Sequence, residues 1–589
     1  MKHVYSLLAA VYFSLMWAGD LYAQLPQNLP DAAKPAAQLP QDTFLYPELE
    51  PEPGKYIVPP VVDRPLGVAG GPRITINAFE LRGAQDRPEK GLSVDDIWRV
   101  IEQERAAKPE GMTIGELQEL ADRITDLYRQ RGFVVAHAFI PVQTVEDGIV
   151  TIQVLEGILG RVLVEGNKKY DPEMLAQPFE NMLGQPLISS DVESAFVRMG
   201  DYPGLTSFGV FQSGEEIGSS DLVLKVQEEK GGGMTLSLGN QGSRFTGEYV
   251  ARADLKVYNM FGGADQLDLV FQQSFDPSLS DFLSYEYSRM LFDPQYRIEF
   301  GQDENIFSID SSGTGIIGIS GQSKTAYLRF RNRFERGRTR NAHWLFSVTR
   351  KAAKTFQDEL LLARDNLTVV SLEYGLDFLD NKTQSFNNLV VQLHHGEPNW
   401  LGAMSAYNDQ NSSRRLGSGD FVGARFDKIN INYTRLQTLS PTRSFLFRTL
   451  YQYTSNPLLG LEQFAMGGPD NVRAYPASEA TVDRGIFVSG EHIWNAPGFA
   501  DKPSPFANLK WGKIFTVSAF AEWAYGERID PLLSEDRTAS LKGWGLGAQL
   551  IVPDSFTAKL TAAWPMMDSP FPANKRRPQV FFNLETVLF

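Results

Sequence analysis

Phe515-Thr516-Val517-Ser518-Ala519-Phe520-Ala521-Glu522-Trp523-Ala524-Tyr525 is the stretch on which the fold turns. Phe515, Val517, Ala519, Ala521, Trp523 and Tyr525 fall on one side of an extended chain, and Thr516, Ser518 and Glu522 on the other. A period of two marks a strand with one apolar and one polar face. The pattern recurs upstream. Tyr249, Ala251, Ala253, Leu255 and Val257 oppose Arg252, Asp254 and Lys256; Leu267, Leu269 and Phe271 oppose Asp268 and Gln272. Ile429, Ile431 and Tyr433 face away from Lys428, Asn430 and Asn432.

From Gly232 to Phe589 this alternation replaces helical periodicity altogether. A soluble β-sandwich alternates too, with the apolar face turned inward, but so long a run without helices is unusual for one sandwich. In a bilayer only a closed barrel satisfies every backbone group among sheet structures. At roughly 22 residues per strand with its connection, residues 232–589 predict a transmembrane antiparallel β-barrel of about sixteen strands. The Gly/Ser-rich stretches Asp310 to Gly321 and Asn408 to Gly419 suit extracellular loops. Phe589 resembles the terminal aromatic of bacterial outer-membrane barrels. Its strand reads both ways, with Asn583 and Glu585 on its parity and Phe582, Leu584 and Leu588 on the other.

Composition agrees with strands rather than membrane helices. Hydrophobic residues make up 42% of the 589-residue chain, and mean hydropathy is -0.24. Nothing beyond the first thirty residues approaches the roughly 18 to 20 apolar residues that a spanning helix needs. Lys2 and His3 precede the apolar run Leu7 to Ala18, which predicts an export signal over 1–23 with cleavage after Ala23. There are no cysteines, so disulfides, thiolate metal sites and Cys nucleophiles are excluded. A net charge of -15 argues against a nucleic-acid partner.

Residues 24–72 carry Pro26, Pro30, Pro35, Pro40, Pro47, Pro51, Pro53, Pro59, Pro60 and Pro65. Such spacing predicts an extended linker or tail without regular helix or sheet. Residues 73–158 read as a small α+β unit. A strand near Phe79 precedes helices over Leu92 to Ala107 and from Thr113, which forms a capping box with Glu116. Leu117, Leu120, Ile124, Leu127 and Tyr128 follow at helical spacing, Gly132 ends that helix, and strands Phe133 to Pro141 and Gly148 to Leu155 close the unit. Residues 159–230 repeat the order: a strand from Arg161 to Glu165, a helix near Pro172 to Leu183, and another from Ser190 capped with Glu193. Strands Phe208 to Gln212 and Leu222 to Glu228 complete the repeat.

These residues resemble a known family. Tyr128-x-x-x-Gly132-Phe133, Pro141-x-Gln143, Gly148 and Glu156-Gly157 are similar to the POTRA domain of two-partner secretion transporters, the haemolysin secretion/activation group. Pro203-Gly204, Gly214 and Gly218-Ser219-Ser220-Asp221-Leu222 resemble its second POTRA domain. Gly467-Gly468-x-x-x-Val472-Arg473-Ala474-Tyr475 resembles the family's VRGY/F loop motif, and Phe520-x-Glu522-x-Ala524 its F-x-D-x-G strand motif. The likeness covers nearly all of the chain after the signal.

The resemblance implies an outer-membrane barrel of sixteen strands behind two periplasmic POTRA domains. It implies a loop folded into the lumen with Arg473 at its tip, paired with Glu522. Strand parity alone puts Glu522 on the polar, lumenal face. In a wet lumen such a pair should be worth about 1 to 3 kcal/mol. Glu522 stands where the family has Asp, and Ala474 and Ala524 where it has Gly. If position 474 needs positive φ, Ala costs about 1 kcal/mol there, which puts the loop-tip conformation in question.

The implied function is export, without ATP, of a large secreted exoprotein, an adhesin- or haemolysin-like β-helix captured unfolded by the POTRA domains. Strand addition to a sheet edge is one means of capture, and apolar residues from Phe133 to Phe139 and on the helix Leu117 to Tyr128 are candidate contacts, though most of them read more simply as core. Outer-membrane lipids and lipopolysaccharide are expected around the barrel. An assembly factor that inserts other barrels is the alternative, though it typically carries more POTRA units than the two counted here. A gated receptor or porin would carry a plug or no periplasmic domain, and neither fits residues 73–230.

No enzyme, cofactor or metal site is predicted. Gly313 to Gly318 fits GxGxxG but precedes no helix, adjacent His394 and His395 point to opposite faces of a strand, and no HExxH or GxSxG occurs.

Overall fold

A computed structural model describes residues 56–57 and 71–588, apart from 229–230, 244–245, 277, 310–317, 507 and 569–576. The predicted signal, most of the Pro-rich segment, most of the Asp310 to Gly321 loop with its glycine run, and Phe589 lie outside the described residues.

One piece of the Pro-rich segment corrects the sequence reading, because β1 (Tyr56–Ile57) is a strand. It lies in the proline-free window between Pro53 and Pro59, where backbone N–H groups are intact.

In the first α+β unit, β2 (Ala78–Arg82), β3 (His137–Phe139) and β4 (Ile149–Leu155) form a sheet in the order β2-β4-β3. Capping boxes start both helices: Ser93 with Asp96 before Val94–Ala107, and Thr113 with Glu116 before Ile114–Gln130. Gly132, at φ 93°, ends the second, and the Phe133 N–H donates to Tyr128 O. Val150, Ile152 and Val154 pack against Leu117, Leu120, Ile124 and Tyr128 in one core. The predicted strand from Phe133 to Pro141 shrinks to three residues, since its beginning is used elsewhere. Phe133 bridges to Ile188, and the Val134 N–H donates to Leu187 O of the next unit.

The second unit holds β5 (Ile158–Glu165), β6 (Leu205–Ser213) and β7 (Ser219–Glu228), ordered β1-β6-β7-β5. Its predicted first helix divides into Pro172–Ala176 and a 3-10 segment Gln177–Met182, where Pro178 has no N–H for the α-helical ladder. The predicted Ser190–Glu193 cap does not form. The helix Ser189–Met199 begins a residue earlier with Ile188 at its N-cap, and the Ser189 N–H donates to Gly132 O of the first unit. Tyr56 stacks on Phe196 and meets Phe211 edge-on, which seats β1 parallel to β6 at Gly209 and Val210.

The barrel opens with β8 (Gly232–Gly239), β9 (Tyr249–Tyr258), β10 (Gln266–Phe275), β11 (Ser280–Met290), β12 (Tyr296–Ser308) and β13 (Ile319–Arg336). It continues with β14 (Arg340–Gln357), β15 (Leu360–Asp380), β16 (Ser385–Gly396), β17 (Phe426–Ser440) and β18 (Arg443–Thr454). After a hairpin of β19 (Phe464–Met466) and β20 (Ala480–Val482) come β21 (Arg484–Asn495), β22 (Phe515–Glu527), β23 (Thr538–Val552), β24 (Phe556–Pro565) and β25 (Gln579–Val587). Sixteen strands, all but β19 and β20, pair antiparallel into a closed cylinder, and β25 meets β8.

Side chains sort as a membrane barrel requires and a sandwich does not. On β12, Phe300 and Ile306 are exposed on the outside, whereas Glu299, Asp303 and Asn305 are buried within. On β25, Val580 and Leu584 face out and Phe581 is buried, which settles the face left open by the sequence. The second α+β unit touches the short turns after β11 and β13: Gln177 donates to Phe292 O and Ser194 to Arg336 O. Those turns therefore mark the periplasmic rim. The long connections 397–425 and 455–483 lie at the opposite rim.

Candidate functional site

The connection between β18 and β21 returns into the cylinder as the β19–β20 hairpin, in which Phe464 pairs with Val482 and Met466 with Ala480. Its tip packs on the inner wall. Val472, Ala474 and Tyr475 share a core with Phe487, Phe520, Ala524, Leu541 and Ala563. Two wall glycines make room for this approach. A Cβ on Gly526 would sit 2.4 Å from Val482 Cγ2, and one on Gly543 would sit 2.3 Å from Ala474 Cβ.

Arg473 is buried at the tip, 6% exposed. Its Nε donates to Glu522 Oε1 at 2.7 Å and its backbone N–H to Glu522 Oε2 at 2.8 Å. Nη2 donates to Glu491 Oε2 at 2.8 Å, and the guanidinium lies 3.4 Å from the centroid of the Phe520 ring. Arg448 approaches Glu522 Oε1 at 3.8 Å, so two arginines meet two glutamates. This geometry corrects the expected energetics. The Glu522 side chain is fully buried, not bathed in a wet lumen. Removing one partner of a desolvated pair costs about 3–5 kcal/mol, because the other charge is stranded.

The departures at 474 and 522 are also accounted for. Left-handed backbone falls at Gly467, Gly468 and Ser478, and Ala474 is not among such residues. Its methyl fills the space over Gly543. The longer Glu522 side chain spans both the guanidinium and the main-chain N–H of Arg473. The Tyr475 hydroxyl reaches Lys542 O at 3.1 Å and Met567 O at 2.9 Å.

Two anchors were not found from the sequence. Glu462, at the start of the infolded segment, meets Lys351 at 2.8 Å and Lys428 at 2.7 Å from two different wall strands. Asp483, at its end, accepts from Arg414 Nη2 at 2.9 Å, Leu458 N at 2.9 Å and Ile529 N at 2.7 Å. Asp483 thereby ties the hairpin base to the 397–425 loop and to the turn after β22. Parity placed Lys428 on the polar face of its strand, but loop partners carry no periodic signal.

The POTRA-like motif residues are structural. Tyr128 and Phe133 pack edge to face at 5.3 Å, and Glu156 accepts from Tyr128 Oη at 3.3 Å and Arg87 Nη2 at 2.8 Å. Gln143 clamps Thr151 through both its main-chain groups, at 2.9 and 2.8 Å, which holds the Pro141 turn against β4. Gly157 O and Gly132 O accept from Leu187 N and Ser189 N, joining the two units. Of the apolar residues from Phe133 to Phe139 and on the helix Leu117 to Tyr128, Leu117, Leu120, Ile124, Tyr128, Phe133, Ala136 and Ala138 are core, the simpler of the two readings of the sequence. His394 meets Ser371 Oγ at 2.8 Å and His395 meets Asp427 Oδ1 at 2.7 Å, on the two faces expected.

Comparison with known proteins adds three findings. A family described as haemolysin secretion/activation protein ShlB/FhaC/HecB matches residues 218–532, and a ShlB-type POTRA domain matches 74–157. The chain is 22% identical over 515 residues to the heme/hemopexin transporter protein HuxB of Haemophilus influenzae (strain ATCC 51907 / DSM 11121 / KW20 / Rd), covering 85% of this chain and 86% of that protein. It is 23% identical over 467 residues to the outer membrane transporter CdiB of Escherichia coli O6:K15:H31 (strain 536 / UPEC), covering 77% and 74%. Among solved structures, CdiB from Escherichia coli superimposes with a TM-score of 0.64 at 20% identity, covering 97% of this chain and 99% of that one. BamA from Haemophilus ducreyi lacking POTRA domains 1-3 superimposes at 0.51 and 14% identity, covering 80% and 93%.

Proposed function

The chain belongs to the haemolysin secretion/activation family, ShlB/FhaC/HecB, as an outer-membrane transporter with periplasmic POTRA domains, and we propose that it exports one large exoprotein through its barrel. The carrying observation is the charged hairpin tip buried inside a closed cylinder. A hydrogen-bonded wall gives a polypeptide no lateral passage, so the route runs along the lumen, where the Arg473 hairpin stands. The paired charges hold that hairpin in one defined position, and because Arg473 is the hairpin's own charge while Glu491 and Glu522 belong to the wall, its departure requires other contacts to take the place of Arg473.

Cargo capture follows from sheet edges. Backbone hydrogen bonds at an edge accept any sequence, which suits an unfolded chain. In the second POTRA unit β5 is one edge of the sheet, and at the other β6 is covered, among the described residues, by β1 at Gly209 and Val210. An arriving cargo strand pairs along β6 in place of β1. The periplasm supplies no ATP, so folding of the cargo outside provides the drive. A long β-helical adhesin or haemolysin, which folds progressively as it emerges, fits that requirement. The outward apolar belt, with Trp523, Trp544 and Tyr285 exposed on it, is the surface for outer-membrane lipid and lipopolysaccharide.

Deleting this protein and assaying the culture medium tests the proposal. Loss of one large secreted protein with other barrels intact is the expected result. General depletion of outer-membrane barrels would instead identify an assembly factor, the reading to which the likeness to BamA lends its fold.

A further inference from the structure

Asp201 follows the helix Ser189–Met199 of the second POTRA unit, yet its carboxylate is held by the barrel. Arg336 grips it with two bonds, Nε to Oδ2 at 2.9 Å and Nη2 to Oδ1 at 2.6 Å, and Arg333 Nη1 lies 3.0 Å from Oδ1. Arg297 Nη2 reaches the Asp201 main-chain oxygen at 3.4 Å. The side chain is 8% exposed. Burial pushes its carboxyl up, but Arg336 and Arg333 outweigh that and hold it below the ordinary aspartate value.

The barrel side of this contact is a ladder. Arg329, Arg331 and Arg333 alternate along β13 on its inner face, while Leu328, Phe330 and Phe334 are exposed outside. The upper rungs have acids of their own on the wall. Arg331 pairs with Glu299 at 2.8 Å and Arg329 with Glu286 at 3.1 Å. The nearby Asp268 is bonded by Gln266 at 2.8 Å. Among the described residues, Asp201 is the carboxylate paired with Arg333 and Arg336. Beside it a polar cavity of about 560 Å³ is bordered by Asp201 and Pro203 of the POTRA unit and by Arg297, Arg331 and Arg333 of the wall.

Two guanidiniums hold the Asp201 carboxylate and a third meets its main-chain oxygen, so one residue of a separate domain fills a cationic site on the wall. We propose that Arg297, Arg333 and Arg336 receive Asp and Glu side chains of the extended polypeptide as it passes from the POTRA domains into the lumen, and that Asp201 fills this site at rest. The proposal rests on the export reading. Exchange of one carboxylate for another leaves the charge balance of the mouth unchanged, so cargo loosens the POTRA unit from the rim without stranding a guanidinium. Bidentate recognition selects carboxylates over neutral side chains.

The test uses the full-length protein in detergent and two labelled 20-residue peptides read by fluorescence anisotropy. One is a Gly/Ser chain bearing six Asp residues, and the other carries Asn at the same positions. Asp201→Asn removes the resident anion, and affinity for the Asp peptide should rise about tenfold, the equivalent of one charge-assisted contact, with the Asn peptide unchanged. Combining it with Arg333→Gln and Arg336→Gln should abolish that gain. Heat-modifiable gel migration verifies that each barrel is folded. The single change Arg336→Gln, which leaves Asp201 and Arg333 in place, should weaken Asp-peptide binding if Asp201→Asn proves too unstable to assay. Equal gains for both peptides, no gain for either, or Asp-peptide binding that ignores the arginines would overturn the proposal. If deletion of the protein leaves the culture medium unchanged, export itself fails. If export stands and the peptides do not discriminate, only the arginine site fails.

Discussion

Glu522 holds Arg473 twice, by the side-chain Nε at 2.7 Å and by the main-chain N–H at 2.8 Å. One carboxylate therefore fixes both the charge and the backbone of the hairpin tip. Arg473→Ala removes one contact set and leaves Glu522 facing Arg448 at 3.8 Å. Glu522→Gln keeps the shape and removes the charge. Both should free the hairpin, read as faster protease cleavage near residues 467–479 and a secretion loss of about tenfold or more, with Arg473→Ala the more severe. Glu522→Asp should be intermediate, because the shorter side chain cannot meet both donors at these distances.

Gly543 offers a steric test that leaves every charge in place. A methyl there would lie 2.3 Å from Ala474 Cβ, so Gly543→Ala should displace the tip while β23 still pairs. We expect a normal heat-modifiable barrel with reduced secretion. Adding Ala474→Gly should restore secretion, since it removes the colliding atom.

The Asp483–Arg414 pair is almost wholly buried, with side-chain exposures of 0% and 5%. Asp483→Asn should loosen three outer connections together and cost about 3–5 kcal/mol of local stability. Hydrogen exchange should rise near 397–425, 455–463 and 528–537, while protection of β8 and β9, remote in the chain, is unchanged. Arg414→Met, apolar and of similar length, should have the same signature.

Glu228 supplies a pH dependence. It accepts from the N–H groups of Lys168, Lys169 and Tyr170 at 2.6, 2.8 and 3.1 Å. Burial pushes its carboxyl up, and these bonds, with the nearby Lys169 charge, outweigh it and hold it below the ordinary glutamate value. A lowered folded value means that the charged form stabilises the fold. Its contribution is complete above the ordinary glutamate range and disappears as pH falls through the lowered one. Amide protection of residues 168–170 should decline in acid. Glu228→Gln should flatten that response and cost about 1 kcal/mol at neutral pH.

Much of this architecture was legible because it is periodic. The two-residue alternation around Glu522 identified a membrane strand and its inner face, and Thr113 with Glu116 marked a helix start that the capping geometry reproduces. What stayed hidden has no period. Arg414 and Asp483 are 69 residues apart in two loops, and Asp201 meets Arg336 across 135. Strand parity assigns Glu522 to the lumen, and the family likeness brings a loop to it, but neither carries a signal for how tightly that loop packs, and it is the packing that desolvates the pair. Ser190 illustrates the reverse error. A local capping pattern was present, yet the Ser189 N–H bonds Gly132 of the neighbouring unit and the helix starts there.

Sixteen is an even number, and in an antiparallel cylinder it has a directional consequence. The polypeptide ascends in β8 and descends in β25, so both ends of the wall return to the rim that carries the POTRA units. An epitope fused after β25 on an intact cell would be shielded from added antibody, whereas one inserted in 397–425 would be bound.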